Sequence, residues 1–453
     1  MVMVQGVSSP HCDTLRVRIA GGIGLAGIST IALLGLRSPT GLYAGLFLVL
    51  VGIALAADRS LPVLLREPIV WAALVLFAWV FLRGWVDLAT AETRGLEPDT
   101  RAIWHHARYT PLLPLVLGLW FAAWWRYRHL LLVLIGLSFV LYMSNDWQQL
   151  LSILPGGQRE FASAFGEAGI MSATVLFLTG AAAISLARES NGYAPLPRWS
   201  LAIVAGAITI FAAFVLLASQ SRAAWLAMLV VVLLFAAVGG RHFWKRADAD
   251  RRKLALMIAG GAVVLLVAGL GAAWDILAGR LARDAETIAI LLAGEVSREE
   301  LPTGSFADRY RMFRQALIDI DRNPLWGIGP ASVRDMLHEI WGKPRGGSGN
   351  YHSAWLNLLV AMGIPWTLFW LGLHAWMIWR AARELIVVER DRLFAVALVG
   401  AALVHFGTLT FQAARIWSVQ GSALYLVLMT LIAAVLLRAG VRRVCLAREE
   451  PVS

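Results

Sequence analysis

The sequence is short of charge. Only 15% of its residues are Asp, Glu, Lys or Arg, where a soluble chain carries roughly a quarter. Cysteine is scarcer still. Cys12 and Cys445 stand near opposite ends of 453 residues, which leaves no disulfide framework and no cysteine-based metal spacing. No H-E-x-x-H, G-x-S-x-G or phosphate-loop pattern occurs, so zinc-protease, α/β-hydrolase and P-loop chemistry have no motif to rest on. The first apolar run, within 17–36, has no A-x-A site after it, and is expected to stay as a span rather than be removed as a signal.

What the chain has is apolar length. It is 59% hydrophobic with 20 tryptophans, and its mean hydropathy is +0.68. Tryptophan at this density fits the two membrane–water interfaces. Stretches of about 17–25 apolar residues mark spans. They fall near 17–36, 39–57, 68–86, 111–126, 129–147, 168–187, 199–218, 222–240, 254–274, 352–379, 393–412 and 417–438. The expected fold is therefore all-α and polytopic, with about 12 transmembrane helices and both termini on one side.

Orientation follows from Lys and Arg in the short loops. "RHFWKRADADRRK" (241–253), "RAARELIVVERDR" (380–392) and the C-terminal tail are densely basic, whereas "RSPT" (37–40), "SQSR" (219–222) and "QAARIWS" (412–418) are not. The basic set is expected inside, with 84–110, 145–167 and 275–351 outside. Inside loops then explain much of the net charge of +11, with no nucleic-acid partner implied. Three parts follow: spans 1–9 over 1–274, an outer loop domain over 275–351, and spans 10–12 with a tail over 352–453.

The outer loop is too long for an ordinary connection, and such loops are usually functional or disordered. "SFADRYRMFRQALIDIDRNP" (305–324) reads as a helix, with Ser305 as N-cap and Pro324 closing it. Phe306, Tyr310, Phe313, Leu317 and Ile320 recur at helical spacing and predict its apolar face. "ASVRDMLHEIW" (331–341) predicts a second, shorter helix after the glycines of "WGIGP" (326–330).

Three side chains on the outer side invite chemistry. Arg222 opens a span after a very short loop. It either snorkels to the interface or, since outside positive charge is disfavoured, serves an anion beside a helix amino end. Arg309 lies on the loop helix, with Arg311 and Arg314 at other helical angles, and reads equally as part of a solvated basic face paired with Asp308, Asp319 and Asp321. His352, in "GNYHSAWLNLLVAMGI" (349–364), is either an interfacial histidine or a general base, because an imidazole pKa near 6.5 suits proton removal around neutrality. Arg83, at the outer end of the third span, and Arg415, in the last outer loop, are weaker anion ligands or head-group anchors. The adjacent histidines of "WHHAR" (104–108) make a poor metal pair without further ligands and read as structural.

Taken in order, "SQSRAAWLAML" (219–229), "DRYRMFRQAL…NPLWGIGPASV" (308–333) and "YHSAWLNLLVAMGI" (351–364) resemble the bacterial O-antigen ligase family, which is related to the O-antigen polymerases. Ser353 stands where that family often has Asn. The resemblance implies a GT-C-type membrane glycosyltransferase in the bacterial inner membrane, with a helical periplasmic loop and a periplasmic active site. It implies transfer of O-antigen from undecaprenyl pyrophosphate to a sugar hydroxyl of lipid A–core, with inversion and without a metal or other cofactor; a monomer is expected. Arg222, Arg309 and His352 carry over as the functional residues; Arg83, Arg311, Arg314 and Arg415 are further candidate diphosphate contacts read from their positions, not from the resemblance. A polymerase, another lipid-linked-glycan ligase including one acting on protein, and a lipid-linked-glycan transporter are the alternatives. Whether His352 is base or phosphate ligand stays open at this point.

Overall fold

A computed structural model describes residues 15–34, 39–55, 64–91, 100–123, 128–144, 166–188, 195–219, 221, 223–234, 305–333, 351, 353–387, 391–409 and 419–449, with 93, 125, 285, 289 and 290 in isolation. Every regular element among these residues is a helix. They are α1 Leu15–Leu34, α2 Pro39–Leu55, α3 Pro68–Ala91, α4 Thr100–Arg108, α5 Leu112–Ala123, α6 Arg128–Ser144, α7 Gly166–Arg188 and α8 Pro195–Ala218. There follow α9 Ala223–Leu234, α10 Ser305–Arg322, α11 Ala354–Met362, α12 Ile364–Val387, α13 Arg392–Leu409 and α14 Val419–Glu449. The chain divides into two compact units, one of Met1–Met228 with Ile320–Ser453 and the other of Leu229–Asp319.

Within the first unit α14 is the central post. Ala423 to Val435 are nearly all buried, and α1, α2, α5, α12 and α13 pack round it. A helix apolar all round has no wet face to offer and is covered on every side. α7 packs against α6, α8 and α13 to one side, and α3 packs against α4, α5 and α12. Outward-facing apolar side chains remain, among them Phe47, Leu82, Ile203, Ile210 and Leu368, as expected where the surroundings are lipid.

Three of these helices are long and apolar enough to cross a membrane: Pro68–Thr90, Arg198–Leu216 and Arg392–Leu409. Shorter apolar helices occur at Gly22–Leu34, Thr40–Leu55, Arg128–Ser144, Met171–Ala187, Ala223–Leu234 and Ala423–Arg438. Among the described residues the fold is thus all-helical, with the apolar helices of a membrane protein. The expected span at 254–274 lies outside the described residues, as does most of the predicted helix over 331–341.

Two expectations change. The predicted span over 352–379 is two helices, broken at Gly363. Its φ of 81° ends α11, its N–H returns to the Leu359 carbonyl, and Pro365 in the first turn of α12 lacks an N–H to continue the ladder. The second change concerns α10. The helix forms as predicted, but Tyr310 and Leu317 of the expected apolar face are exposed, while Met312, Ala316 and Asp319 are buried. Asp319 tolerates burial because Gln315 Nε2 donates to its Oδ1 at 3.0 Å, and small Ala316 takes little room on the same face.

Candidate functional site

The first motif element is built round a two-serine turn between α8 and α9. Ser219 N–H closes the last turn of α8 onto Val215, and its hydroxyl donates to the Leu216 carbonyl. Ser221 then starts α9. Its carbonyl accepts from Trp225 N–H at 3.0 Å and its hydroxyl from Ala224 N–H at 3.4 Å, the bonds of a helix N-cap. Trp225 Nε1 donates back to the Leu216 carbonyl at 2.8 Å, tying the start of α9 to the end of α8. Gly169 of α7 makes room for this turn, since a Cβ there would overlap Ser219 Oγ and Ser221 Cβ. Both serines are buried. The Ser and Trp of the Ser-Arg-x-x-Trp element thus fix the backbone on either side of residue 222, which itself lies outside the described residues.

The second element is equally tied down. Ser353 is the N-cap of α11, with φ −142° and ψ 124°, and accepts from Leu356 N–H. Its hydroxyl performs the cap that Asn also performs well, which accounts for a Ser at this position. Asn357, fully buried, accepts from Tyr351 N–H at 3.2 Å and donates Nδ2 to the Ser353 carbonyl at 3.0 Å. Residues 351 and 353 are therefore both held by Asn357. His352 is outside the described residues.

One turn of α13 receives both elements. Phe406 stacks on Trp355, with centroids 6.4 Å apart, and meets Trp370 edge-on at 5.8 Å. At the next residue, Gly407 faces Ala227 of α9, 3.7 Å from where a Cβ would sit. Trp355 lies three residues beyond 352 and Ala227 five beyond 222. The two motif segments, far apart in sequence, thus converge on the same end of one helix.

The loop after α10 docks against the same region. Gly327 and Gly329 have φ of 65° and 104°, values that favour glycine. Ile328 and Gly329 N–H donate to the Val360 and Ala361 carbonyls at 2.8 and 3.1 Å, and Ile364 N–H to the Pro324 carbonyl at 2.7 Å. From the other side α3 grips the loop with two charged residues one helical turn apart. Arg83 donates Nε to the Trp326 carbonyl at 2.9 Å and Nη2 to the Gly327 carbonyl at 2.8 Å. Asp87, fully buried, accepts at Oδ2 from Ala331 and Ser332 N–H at 2.8 and 2.9 Å, and at Oδ1 from Ser332 Oγ at 2.5 Å. Cation to carbonyls and anion to amides, the pair matches the polarity of the loop backbone. A Cβ on Gly329 would overlap the Asp87 carboxyl, so the Gly-x-Gly spacing is set by this grip.

α4 packs Ile103 onto Gly84 of α3, where a Cβ would come within 2.7 Å. His106 is buried, and Nδ1 donates to the Ala102 carbonyl at 2.8 Å. Burial pushes its pKa down to about 4, partly offset by that hydrogen bond. With Leu76, Val80, Leu358, Met362, Trp366, Thr367 and Trp370 it lines a small cavity. Just beyond α4, the Tyr109 carbonyl accepts from Trp370 Nε1 and from Tyr425 Oη, each at 2.8 Å.

Of the other arginines singled out, Arg309 and Arg311 are half-buried and Arg314 is exposed on α10, while Arg415 lies outside the described residues. Asp319 and Asp321 do not form a ligand pair. Asp319 is buried against Gln315, and Asp321, two residues on and at another helical angle, is exposed. Among the described residues no group of three His, Cys, Asp or Glu side chains comes together. Sequence reading passed over Asp87, Asn357 and Trp225. The signal for the last two was present in the motifs, as the polar and aromatic letters between the candidate groups.

No curated protein matches the chain. A family model described as O-antigen ligase matches residues 207–371, a stretch that opens within α8 and closes within α12, taking in the serine turn, α10, the gripped loop and the Asn357 bracket. Over that stretch the chain is similar to the O-antigen ligase family.

Proposed function

We propose that the protein is an O-antigen ligase of the bacterial inner membrane, joining O-antigen carried on undecaprenyl pyrophosphate to a sugar hydroxyl of lipid A–core at the periplasmic face. The reading is carried by the family match over 207–371, and it is supported by the convergence of the segments around 222 and 352 on the Phe406–Gly407 turn of α13. In this reading residues 275–351 form the periplasmic loop domain, both termini are cytoplasmic, and the protein works as a monomer.

The chemistry follows from the residue types. The bond from the anomeric carbon to the pyrophosphate oxygen breaks as the acceptor oxygen attacks the opposite face, so the configuration inverts. Undecaprenyl pyrophosphate departs with the bonding electron pair. Arg222 and Arg309 meet its growing charge, because guanidinium stays protonated and offers a fork matched to phosphate oxygens. Each such preorganised donor is worth a few kcal/mol. His352 accepts the proton of the acceptor hydroxyl. Arg311, Arg314 and Arg415 are secondary contacts to the diphosphate. Arg83 acts on the site through the loop it grips, since two of its guanidinium nitrogens serve carbonyls.

The test is transfer in vitro with purified protein, undecaprenyl-pyrophosphate-linked O-antigen, lipid A–core and a chelator. Modified lipid A–core that appears with chelator present, is lost in His352→Ala, and is damaged in Arg222→Lys agrees with the proposal. A divalent-metal requirement would contradict the metal-free mechanism. Elongation of the lipid-linked chain with lipid A–core left bare would make the protein a polymerase instead.

A further inference from the structure

Arg108 is 6% exposed, and its guanidinium has no carboxylate partner among the described residues. Nη2 lies against His105 Nδ1, while Nε and Nη1 find no acceptor among them. Arginine cannot shed its proton to escape burial. A buried cation without an anion is among the costlier arrangements a protein can hold, and where charge persists at such a position it marks a functional contact. The carboxylate of Asp87, on neighbouring α3, is bonded to Ala331 and Ser332, and no ion pair joins it to Arg108 among the described residues.

Arg108 is also not alone on its helix. Arg101, His105 and Arg108 stand at i, i+4 and i+7 of α4, which places them on one stripe. The stripe passes from exposed Arg101 through half-buried His105 to buried Arg108, and α4, "TRAIWHHAR", carries no acidic residue. Ile103 and His106 occupy the face turned to the bundle. Trp104 on α4 is 61% exposed and Trp85 on α3 is 70% exposed, and Trp104 meets Phe81 edge-on. Outward tryptophans of this kind sit at the level of lipid head groups. An anion suited to a cationic stripe at head-group level is the phosphate of a lipid.

We propose that the Arg101–His105–Arg108 stripe of α4 binds a lipid-borne phosphate, with Arg108 as its buried anchor. This rests on the reading above for its occupant, the diphosphate of the lipid-linked donor. The two segments are joined by a short path: Tyr109, next to Arg108, is held through its carbonyl by Trp370, and Trp370 meets Trp355 edge-on at 5.5 Å, three residues beyond 352.

The experiment measures affinity and thermal midpoint on the full-length protein in zwitterionic nanodiscs. One arm adds undecaprenyl pyrophosphate and the other replaces part of the bilayer with phosphatidylglycerol. Arg108→Gln should weaken phosphate-lipid binding roughly tenfold or more, as loss of a charged hydrogen-bond donor does. It should leave the ligand-free midpoint unchanged or raised, since an unpaired buried charge has been removed. Arg101→Gln, at the wet end, should weaken binding by no more than about fivefold; it keeps the test open if Arg108→Gln does not fold. A response confined to undecaprenyl pyrophosphate assigns the stripe to the donor, and one confined to phosphatidylglycerol assigns it to bulk lipid; both support a lipid-phosphate site. A lowered ligand-free midpoint with both affinities unchanged overturns it, making Arg108 a structural residue. Wild-type protein that binds phosphate lipid through Arg108 yet never modifies lipid A–core would sink the ligase reading and leave the site standing.

Discussion

Asp87 offers the sharpest quantitative test of the gripped loop. Its carboxylate is fully buried and satisfies two main-chain amides and one hydroxyl at 2.8, 2.9 and 2.5 Å. Asp87→Ala strands the amides of Ala331 and Ser332. A buried donor left unmade costs about 1–3 kcal/mol, so the pair should cost about 2–6 kcal/mol, while the Ser332 hydroxyl can turn elsewhere. Asp87→Asn keeps an oxygen for the amides and loses only the charge assistance, roughly 1 kcal/mol per bond, or about 2 kcal/mol. Ser332→Ala should cost least, about 1 kcal/mol, for the loss of the Oγ bond to Asp87. Thermal destabilisation of the purified, reconstituted protein should therefore be largest for Asp87→Ala, smaller for Asp87→Asn and smallest for Ser332→Ala. Gly329→Ala supplies the internal control. Its Cβ would overlap the Asp87 carboxyl, so its cost should fall when Asp87→Ala is already in place, and the two substitutions should be non-additive. If Asp87→Ala shifts stability no more than Ser332→Ala, or if the double variant is simply additive, the carboxylate is not what holds the loop.

Further outcomes follow from the same contacts. Trp225→Phe keeps an aromatic ring and loses the bond to the Leu216 carbonyl; thermal unfolding should show a loss of about 1 kcal/mol, with lipid A–core transfer falling further than stability because the turn beside residue 222 is freed. For His106 the folded pKa of about 4 lies below the ordinary 6.5, so the unfolded chain takes up the proton first. Its stabilising contribution is complete above pH 6.5 and is lost as pH falls through 6.5 towards 4, up to roughly 3 kcal/mol; His106→Phe should flatten that part of the stability–pH curve, and an unchanged curve would refute the assignment. Gly363→Ala forces a side chain onto a backbone at φ 81° beside the Leu325 carbonyl, and expression with thermal unfolding should report severe destabilisation.

Much of the architecture was legible because its cause is local. Apolar runs of membrane length predict helices whatever they pack against, and α3, α8 and α13 fall where the runs predicted them. The helix at 305–322 was equally readable from its caps and spacing. Its buried face was not. Periodicity ranks residues by hydrophobicity, and it favoured Tyr310 and Leu317, whereas fit favoured small Ala316 and a hydrogen-bonded Asp319. The break at Gly363 was missed for a related reason. Hydropathy sums over a window and cannot see one backbone angle, although "GIP" contains both the residue that adopts φ 81° and the proline that cannot rejoin the ladder.

The site divides along the same line. Reading for chemistry picked out side chains that could act, Arg222, Arg309 and His352, and overlooked those that hold the backbone still. Yet the described structure is richest in the latter. Ser221 and Trp225 fix the backbone on either side of residue 222, Asn357 holds residues 351 and 353, and Arg83 with Asp87 locks the glycine loop. Arg83 and Asp87 lie outside the stretch matched by the family model, 207–371, yet each bonds directly to a motif inside it. A lone carboxylate near a span end looks, in sequence, like any solvated loop residue, because nothing local distinguishes it. Only its partners, some 244 residues onward, reveal that a charge in the first third of the chain is spent on polar backbone in the last. A guanidinium that matches carbonyls and a carboxylate that matches amides leave the loop with little freedom to slide along α3. The arginine and histidine letters proposed as catalytic therefore stand on a scaffold wider than the motif that announces them.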